Sequence, residues 1–463
     1  MALFMLAVVA FAGGKAKYVF YFIGDGMGVN QVNGTETYLA AKQGIIGTTS
    51  LCFTQFPAVA LITTQSATNG VTDSAAGGTA LACASKTKNG VLGMLKDQTT
   101  SINSIAVWAQ QAGAAVGIST TASIDHATPA AFYAHVPQRS MYYEIGKQML
   151  ESGFDFFAGS DFLEPDKKKD SEGSLYEQSR KAGYTIARGY PEYRNQRNAK
   201  KMILFQTEEA SRKDRSSLPY AIDRQQGDLQ LKEIAEAGID FLTRQKKKGF
   251  FFMLEGGKID WACHANDAAA TFHEVVDMDE AIKVALEFYK KHPKETLIVV
   301  TADHETGGIV LGRGAYAMNT TVLQYQKMSA DAYSAHLTQL CRKEGKNLSW
   351  QKLEDDLKTY WGFWDQVKLT DKQTQRLKEA ALGALTHSDE KQEKSLYSSL
   401  NSLANTARLV MAETSMVGWQ SGGHSNGYVP VFAIGAGAEK FCGKYDNTLI
   451  STKIAEAAGW KQK

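Results

Sequence analysis

Continuous apolar runs of five to seven residues recur along the chain: YVFYFIG from Tyr18, AAVGIS at 114–119, FFMLE at 251–255, LIVVTAD at 297–303 and VPVFAIG at 429–435. Such runs read as strands buried on both faces. Longer stretches of helical periodicity separate them, the clearest being HANDAAATFHEVVDMDEAIKVALEFYKK from His264. The alternation predicts an α/β fold with a doubly wound, mostly parallel central sheet flanked by helices. Between about 312 and 418 strand-like runs vanish and helix formers dominate. This predicts a helical insertion at 312–418 within a sheet domain built from 13–311 and 419–463. The insertion could add packing or an oligomer contact, or it could cover a site where the Trp and Tyr of YWGFW (360–364) meet substrate.

Three of the apolar runs end in charge. YVFYFIG runs into Asp25, FFML into Glu255, and LIVVTA into Asp303 and His304. Ligands of open parallel sheets bind beyond the carboxyl ends of the strands, so these side chains are expected to converge. Several carboxylates crowded together raise one another's pKa unless a cation holds them ionised. In EGGKIDWACH, Asp260 and His264 are four apart and would share one helix face, and His424 in SGGHSNG adds another imidazole. Nitrogen and oxygen donors without cysteine suit zinc in a catalytic site.

GVTDSAAGGTALACAS, from Gly70, places Ser74 where a helix begins, beside free backbone N–H groups that favour an oxyanion. Capping alone would also explain the pattern. No Ser-His-Asp order with nucleophile-elbow glycines accompanies it, which leaves metal coordination as the way to activate the hydroxyl. Two metals about 3.5–4 Å apart would clamp both oxygens of an in-line phosphoryl displacement. Arg139, in HATPAAFYAHVPQRS, is a candidate bidentate donor to the phosphate.

Composition narrows the partners. The chain has 463 residues, 44% of them hydrophobic, enough for a large core. With 51 basic and 49 acidic side chains the formal charge is +2, so no nucleic-acid binding is expected and any anion recognition is local. The opening run MALFMLAVVAFAGGK is too short to span a bilayer and closes on the small-x-small pattern Ala10-Phe11-Ala12. Residues 1–12 are therefore expected to be a signal peptide or its remnant, with export to the periplasm or the exterior and no transmembrane segment. Five widely spaced cysteines, Cys52, Cys83, Cys263, Cys341 and Cys442, form neither a disulfide framework nor a metal site, though one or two bridges remain open.

Taken together and in order, FIGDGMG, VTDSAAGGTA, HATPAAFYAHV, LEGGKID followed by a histidine, TADHETGG and GGHSNG resemble the alkaline phosphatases. The resemblance covers the sheet-forming parts, with the region of about 312–418 and most of 160–245 outside it. It implies that Asp260, His264 and His424 bind one zinc, and that Asp25, Asp303 and His304 bind a second that also takes Ser74. A third site, usually magnesium, would use Asp25, Thr128 and Glu255. His126 beside it, as in animal members, would favour zinc or cobalt there. The resemblance further implies phosphomonoester hydrolysis through a phosphoserine, with Arg139 holding phosphate oxygens, and a homodimer. Trp261 stands where many members carry Lys or His, which suggests stacking on an aromatic leaving group and a preference for nucleotides. The alternatives are a phosphodiesterase of the same superfamily and a non-catalytic zinc-binding scaffold. A sulfatase is disfavoured because no CxPxR setting surrounds Ser74.

Overall fold

The computed structural model describes residues 14–167, 173–314, 316–386, 393–394 and 396–462, so the run expected to direct export lies outside the described residues. Ten strands form one sheet among them: β1 (Tyr18–Gly24), β2 (Ala58–Thr63), β3 (Ala115–Thr120), β4 (Phe156–Gly159), β5 (Tyr184–Arg188), β6 (Lys201–Phe205), β7 (Phe250–Gly256), β8 (Thr296–Thr301), β9 (Val429–Gly435) and β10 (Gly443–Asp446). Their spatial order is β10-β2-β9-β8-β1-β7-β3-β4-β6-β5, with helices against the sheet. All five apolar runs are strands, and three of them, β1, β7 and β8, are adjacent at the centre. The other five strands are short or partly exposed, as in AVALIT of β2, where alternate residues face solvent.

Only β9 runs against its neighbours, antiparallel to both β2 and β8. Every other pairing is parallel. Reversal has a functional consequence: the residues before β9, not those after it, lie at the sheet edge where the other strands end. The register of β1 against β7 pairs Ile23 with Glu255 and Gly24 with Gly256, and that of β3 against β7 pairs Thr120 with Glu255. Asp25, Glu255 and the loop after β3 thus emerge at one level.

Interdigitated aromatic rings fill the central layer. Phe252 lies in edge contact with Phe156 at 5.8 Å and in tilted contact with Phe20 at 6.5 Å. Helix Leu231–Arg244 crosses above it, and Gly238 is the residue of closest approach.

The segment 320–415 is mainly helical, with helices Ala330–Glu344, Trp350–Trp361, Asp371–Ala380, Leu382–Thr386 and Ser402–Ser415. It encloses a second core of Leu337, Leu357, Trp361, Phe363, Leu377 and Val410, which continues into Tyr38 and Phe272 of the sheet-flanking helices. Trp361 and Phe363 of YWGFW are fully buried in that core, and Tyr360 and Trp364 are half-buried against it. The pattern of large apolar residues at helical spacing carries packing here. Cys52, Cys83, Cys263 and Cys442 are free thiols.

A β-carbon at Gly238 would lie 2.2 Å from the Phe252 ring, whose neighbours leave it no room to move. Gly238→Ala gains about 1 kcal/mol of helix propensity. Overpacking costs about 1–3 kcal/mol, so the net effect is expected to be destabilising, read as a lower thermal midpoint. A raised midpoint would show that the helix can shift off the sheet at little cost.

Candidate active site

Each candidate side chain is delivered to the carboxyl edge of the sheet by a local cause. Asp25 follows β1 directly, and Gly26 turns the chain with φ +72°. A β-carbon on Gly26 would meet Asp260 Oδ1 and Thr306 Oγ1 at 2.9 Å, while its N–H donates to Asp303 Oδ1 at 3.2 Å. Glycine there allows the loops of β1, β7 and β8 to close on one another. Asp260 and His264 lie on the short helix Lys258–His264, which ends before a separate helix, Ala268–Lys291, begins, so the long pattern is broken in two. His424 reaches the site because β9 is reversed. It pairs with Thr306 in a two-residue ladder, and Glu305 secures the turn by accepting from Gln31 Nε2 at 2.7 Å and from Ser425 Oγ.

Ser74 opens the helix Ser74–Cys83, with Asp73 as its N-cap. One Asp73 oxygen accepts from Ala76 N–H at 3.0 Å; the other accepts from Gly90 N–H at 3.0 Å and pairs with Arg139 Nη1 at 3.3 Å. Asp73 therefore sets the helix start and aims the arginine. Small residues serve approach: a β-carbon at Gly77 would touch the Asp303 carbonyl at 3.0 Å, and one at Gly78 the Thr128 Cα at 3.3 Å. Ser74 Oγ lies 3.3 Å from His304 Nε2, which also faces Asp25 Oδ1 at 3.3 Å and Asp303 Oδ2 at 3.4 Å.

Among the described residues, three groups of side chains have donor atoms close enough to share an ion: Asp260, His264 and His424; Asp25, Asp260 and His304; and Asp25, His126 and Glu255. The first group is the set expected from the sequence. In the second, Asp260 takes the place given to Asp303, whose Oδ1 is engaged by the Gly26 and His304 amides while its Oδ2 is free of donors. The third contains His126, and Thr128 Oγ1 is buried without a partner.

The donor chemistry fits cations. His264 Nδ1–H donates to the Gly422 carbonyl at 2.6 Å and His424 Nδ1–H to the Thr72 carbonyl at 2.8 Å. With Nδ1 carrying the proton in each neutral ring, two Nε2 lone pairs face each other at 3.1 Å, beside the Asp260 carboxylate. Lone pairs directed at one another repel, and a shared cation removes the conflict. Six buried carboxylate oxygens, on Asp25, Glu255, Asp260 and Asp303, have no donor. At about 1–3 kcal/mol for each unsatisfied group, this crowding would cost on the order of 10 kcal/mol, as much as a domain's whole stability.

The ionisation preferences agree. Burial pushes Glu255 up to about 8 and Asp303 up to about 7. Burial, followed by the charges of Asp303, Asp260 and Glu255, raises Asp25 as well. Burial also opposes ionisation of Asp260, but positive charge at His264, then at His424 and His304, outweighs it and holds this carboxyl far below the usual range, while Asp260 in turn raises His264 against its burial; the Asp260 carboxylate thus requires a positive charge beside it, on a proton or on a metal. Burial, then the Arg139 charge, drives His126 down to about 3, so it is a neutral donor.

Two aromatic residues line the mouth of the site. Trp261 is 6% exposed, and its ring is stacked on Tyr397 at 4.5 Å and 7°. Lys258 Nζ stands 4.6 Å from the Trp261 centroid, which places it on the opposite face. The open face expected for a nucleobase on Trp261 is therefore absent: the protein itself covers it. Tyr397 escaped the sequence reading because KSLYSSL carries no motif, and Asp73 was legible as a cap but not as the partner of Arg139.

A family model for alkaline phosphatase matches residues 16–160 and 197–460. Alkaline phosphatase 3 of Bacillus subtilis is 30% identical over 454 residues, covering 96% of this chain and 89% of that protein. The cold-active alkaline phosphatase of the psychrophile Shewanella sp. superposes with a TM-score of 0.78 at 28% identity, over 95% of this chain and 99% of that one. A histidine-to-glutamate variant of the alkaline phosphatase of the Antarctic bacterium TAB5, with magnesium bound in its M3 site, gives 0.65 at 27% identity, over 97% and 99%. The family match runs through 312–418 and much of 160–245, which the motifs alone had left outside the resemblance; residues 161–196 lie between the matched stretches.

Chelation is expected to lower the thermal midpoint by about 5 °C or more, with zinc restoring it, because bound metal stabilises the folded state by roughly 4 kcal/mol at a thousandfold excess over its dissociation constant. An unchanged midpoint would mean that protons, not cations, neutralise the carboxylates.

Proposed function

The chain belongs to the alkaline phosphatase family of metal-dependent phosphomonoester hydrolases, and on that premise we propose that Ser74 is its nucleophile and that the reaction passes through a phosphoserine. The observation that carries the reading is the position of Ser74 Oγ: at a helix N-terminus, 3.3 Å from His304 Nε2, between two clusters of ion-binding side chains.

Asp260, His264 and His424 would hold one zinc, and Asp25 and His304, with Asp303 or Asp260, a second. Asp25, Glu255 and Thr128, with His126 beside them, would hold the third metal, where an imidazole favours zinc or cobalt over magnesium. When bound, these ions supply Lewis-acid activation of the serine and of water, and stabilise the departing oxygen.

The protein's own groups do the rest. The helix start leaves N–H groups free to face an anion, and Asp73 keeps that start rigid. Ser74 Oγ attacks phosphorus in line: the Oγ–P bond forms, the ester P–O bond breaks, and the alcohol leaves with the proton given up by the serine. Water then attacks the phosphoserine, releasing inorganic phosphate and restoring the hydroxyl. Arg139 binds non-bridging oxygens through both steps. Its charge is favoured despite burial by Tyr397, Asp73 and Asp25.

Three further readings belong to the proposal. Export rests on the apolar run before Gly13, and the homodimer rests on the family resemblance. Among the described residues no helix is long and apolar enough to cross a membrane. A nucleotide preference would have to be carried by the outer face of Tyr397 instead of Trp261. Equal kcat/KM for nucleoside monophosphates and glycerol phosphate would dismiss it.

Hydrolysis of 4-nitrophenyl phosphate near pH 9 is expected to vanish on chelation and return with zinc. Ser74→Ala is expected to lower kcat at least a thousandfold, and acid quenching of the wild type should trap label on Ser74. Chelator-resistant turnover would overturn the metal mechanism, and diester turnover exceeding monoester turnover would favour the phosphodiesterase reading.

A further inference from the structure

We propose that Tyr397, supplied by the segment between the last two long helices of the helical region, is a substrate-binding residue: its hydroxyl donates to a phosphate oxygen beside Arg139, and its ring walls the leaving-group cavity. This rests on the phosphomonoesterase reading and assigns a further residue to it.

The first support is a donor count. Arg139 Nη2 donates to Tyr397 Oη at 3.2 Å and also lies 3.1 Å from His126 Nε2. The phenol is then an acceptor, and its own hydrogen needs a partner. His126 Nε2, at 3.5 Å, is at the limit of hydrogen bonding and is already engaged by Arg139. No other acceptor is in reach among the described residues, although the ring edge faces His264 at 5.3 Å, over the site. An O–H held beside a guanidinium, without a good acceptor and facing a metal-ligating histidine, is matched by an oxygen of a phosphate that the same guanidinium binds.

The second support is preorganisation. Tyr397 ends a stack that begins at Tyr220: Lys258 Nζ sits 3.6 Å from the Tyr220 centroid and 4.6 Å from that of Trp261, and it donates to Ser217 Oγ at 2.8 Å. Trp261 then lies parallel to Tyr397. On the other side the chain is tied down directly after Tyr397. Ser398 Oγ donates to Asp331 Oδ1 at 2.6 Å, and Asn401 N–H donates to Ser334 Oγ at 2.9 Å. The hydroxyl is thus placed by elements far apart in sequence, at low entropic cost to binding.

The third support is the space beside it. Trp261 and Tyr397 also line a cavity of about 620 Å³, bordered by Lys258, Tyr220, Asp331 and Ser217. A leaving group that extended past the edge of this aromatic pair would meet the hydroxyl and charged groups that line the cavity, a setting suited to a polar alcohol.

The test uses the metal-reconstituted enzyme. Tyr397→Phe keeps the ring stack and is expected to leave the thermal midpoint within about 1 °C. It should raise both KM for 4-nitrophenyl phosphate and the dissociation constant of inorganic phosphate, measured by calorimetry, by about tenfold, and by more than any fall in kcat. The same loss of phosphate affinity should persist in an Arg139→Ala background. Unchanged phosphate affinity in Tyr397→Phe, or an effect that disappears without Arg139, would overturn direct contact. A wild type that binds phosphate but does not turn over the monoester would instead sink the phosphomonoesterase reading and leave the tyrosine to be judged by calorimetry.

Discussion

The constraint on which the rest of the structure depends is the convergence of buried carboxylates and imidazoles at the ends of β1, β7 and β8. Strands sealed on both faces have no water at their tips, so the charge at each tip must find its partner in its neighbours or in an ion. Asp25, Glu255, Asp260 and Asp303 are all 0% exposed, and most of their oxygens lack a donor. Side chains alone cannot make that arrangement favourable. Carbonyl oxygens hold the outer nitrogens of His264 and His424 and so turn the inner nitrogens towards each other, a geometry that suits a shared cation.

Two features of the chain path make this convergence sterically feasible. The first is the reversal of β9, which puts His424 at the same edge as residues that follow the other strands; a parallel β9 would have delivered the loop before it to the opposite side. The second is the run of small residues after Ser74, which lets the helix that begins at Ser74 pack within van der Waals distance of Asp303 and Thr128. Asp73 joins the two problems, since one carboxylate both starts the helix and pairs with Arg139.

How much of this was legible depended on whether a residue's role is local. A charge at the end of an apolar run is costly wherever it stands, so Asp25, Glu255 and Asp303 announced themselves, as did the pairing of Asp260 with His264 four residues on. The central strands were legible for the same reason, being buried on both faces. The strands β4, β5, β6 and β10 have only four or five residues each, and β2 is half exposed, so periodicity said little about them. The helical texture of 312–418 was also visible, but not its relation to the site. YWGFW has the composition of a binding surface, yet Trp361 and Phe363 close a core, because the helix Trp350–Trp361 ends here and Gly362, in the left-handed region, turns the chain so that both rings pack inward.

Trp261 shows why the remainder was hidden. Read alone, an indole beside a metal-binding helix offers a flat face to any planar ligand. In the fold, a tyrosine 136 positions later takes that face and a lysine three positions earlier takes the other. Lys258 is buried against two rings and Ser217, and burial lowers its pKa although Glu274, Asp214, Asp331 and Asp223 favour its charge. The indole is thereby buried between Tyr397 and the Lys258 ammonium group and presents little surface to a base. Recognition at the mouth of the site passes to the outermost ring of the stack, and that ring belongs to the helical segment and not to the sheet. The sheet and its metal-binding edge define the reaction, whereas what leaves from the phosphate is decided where the helical segment meets that edge.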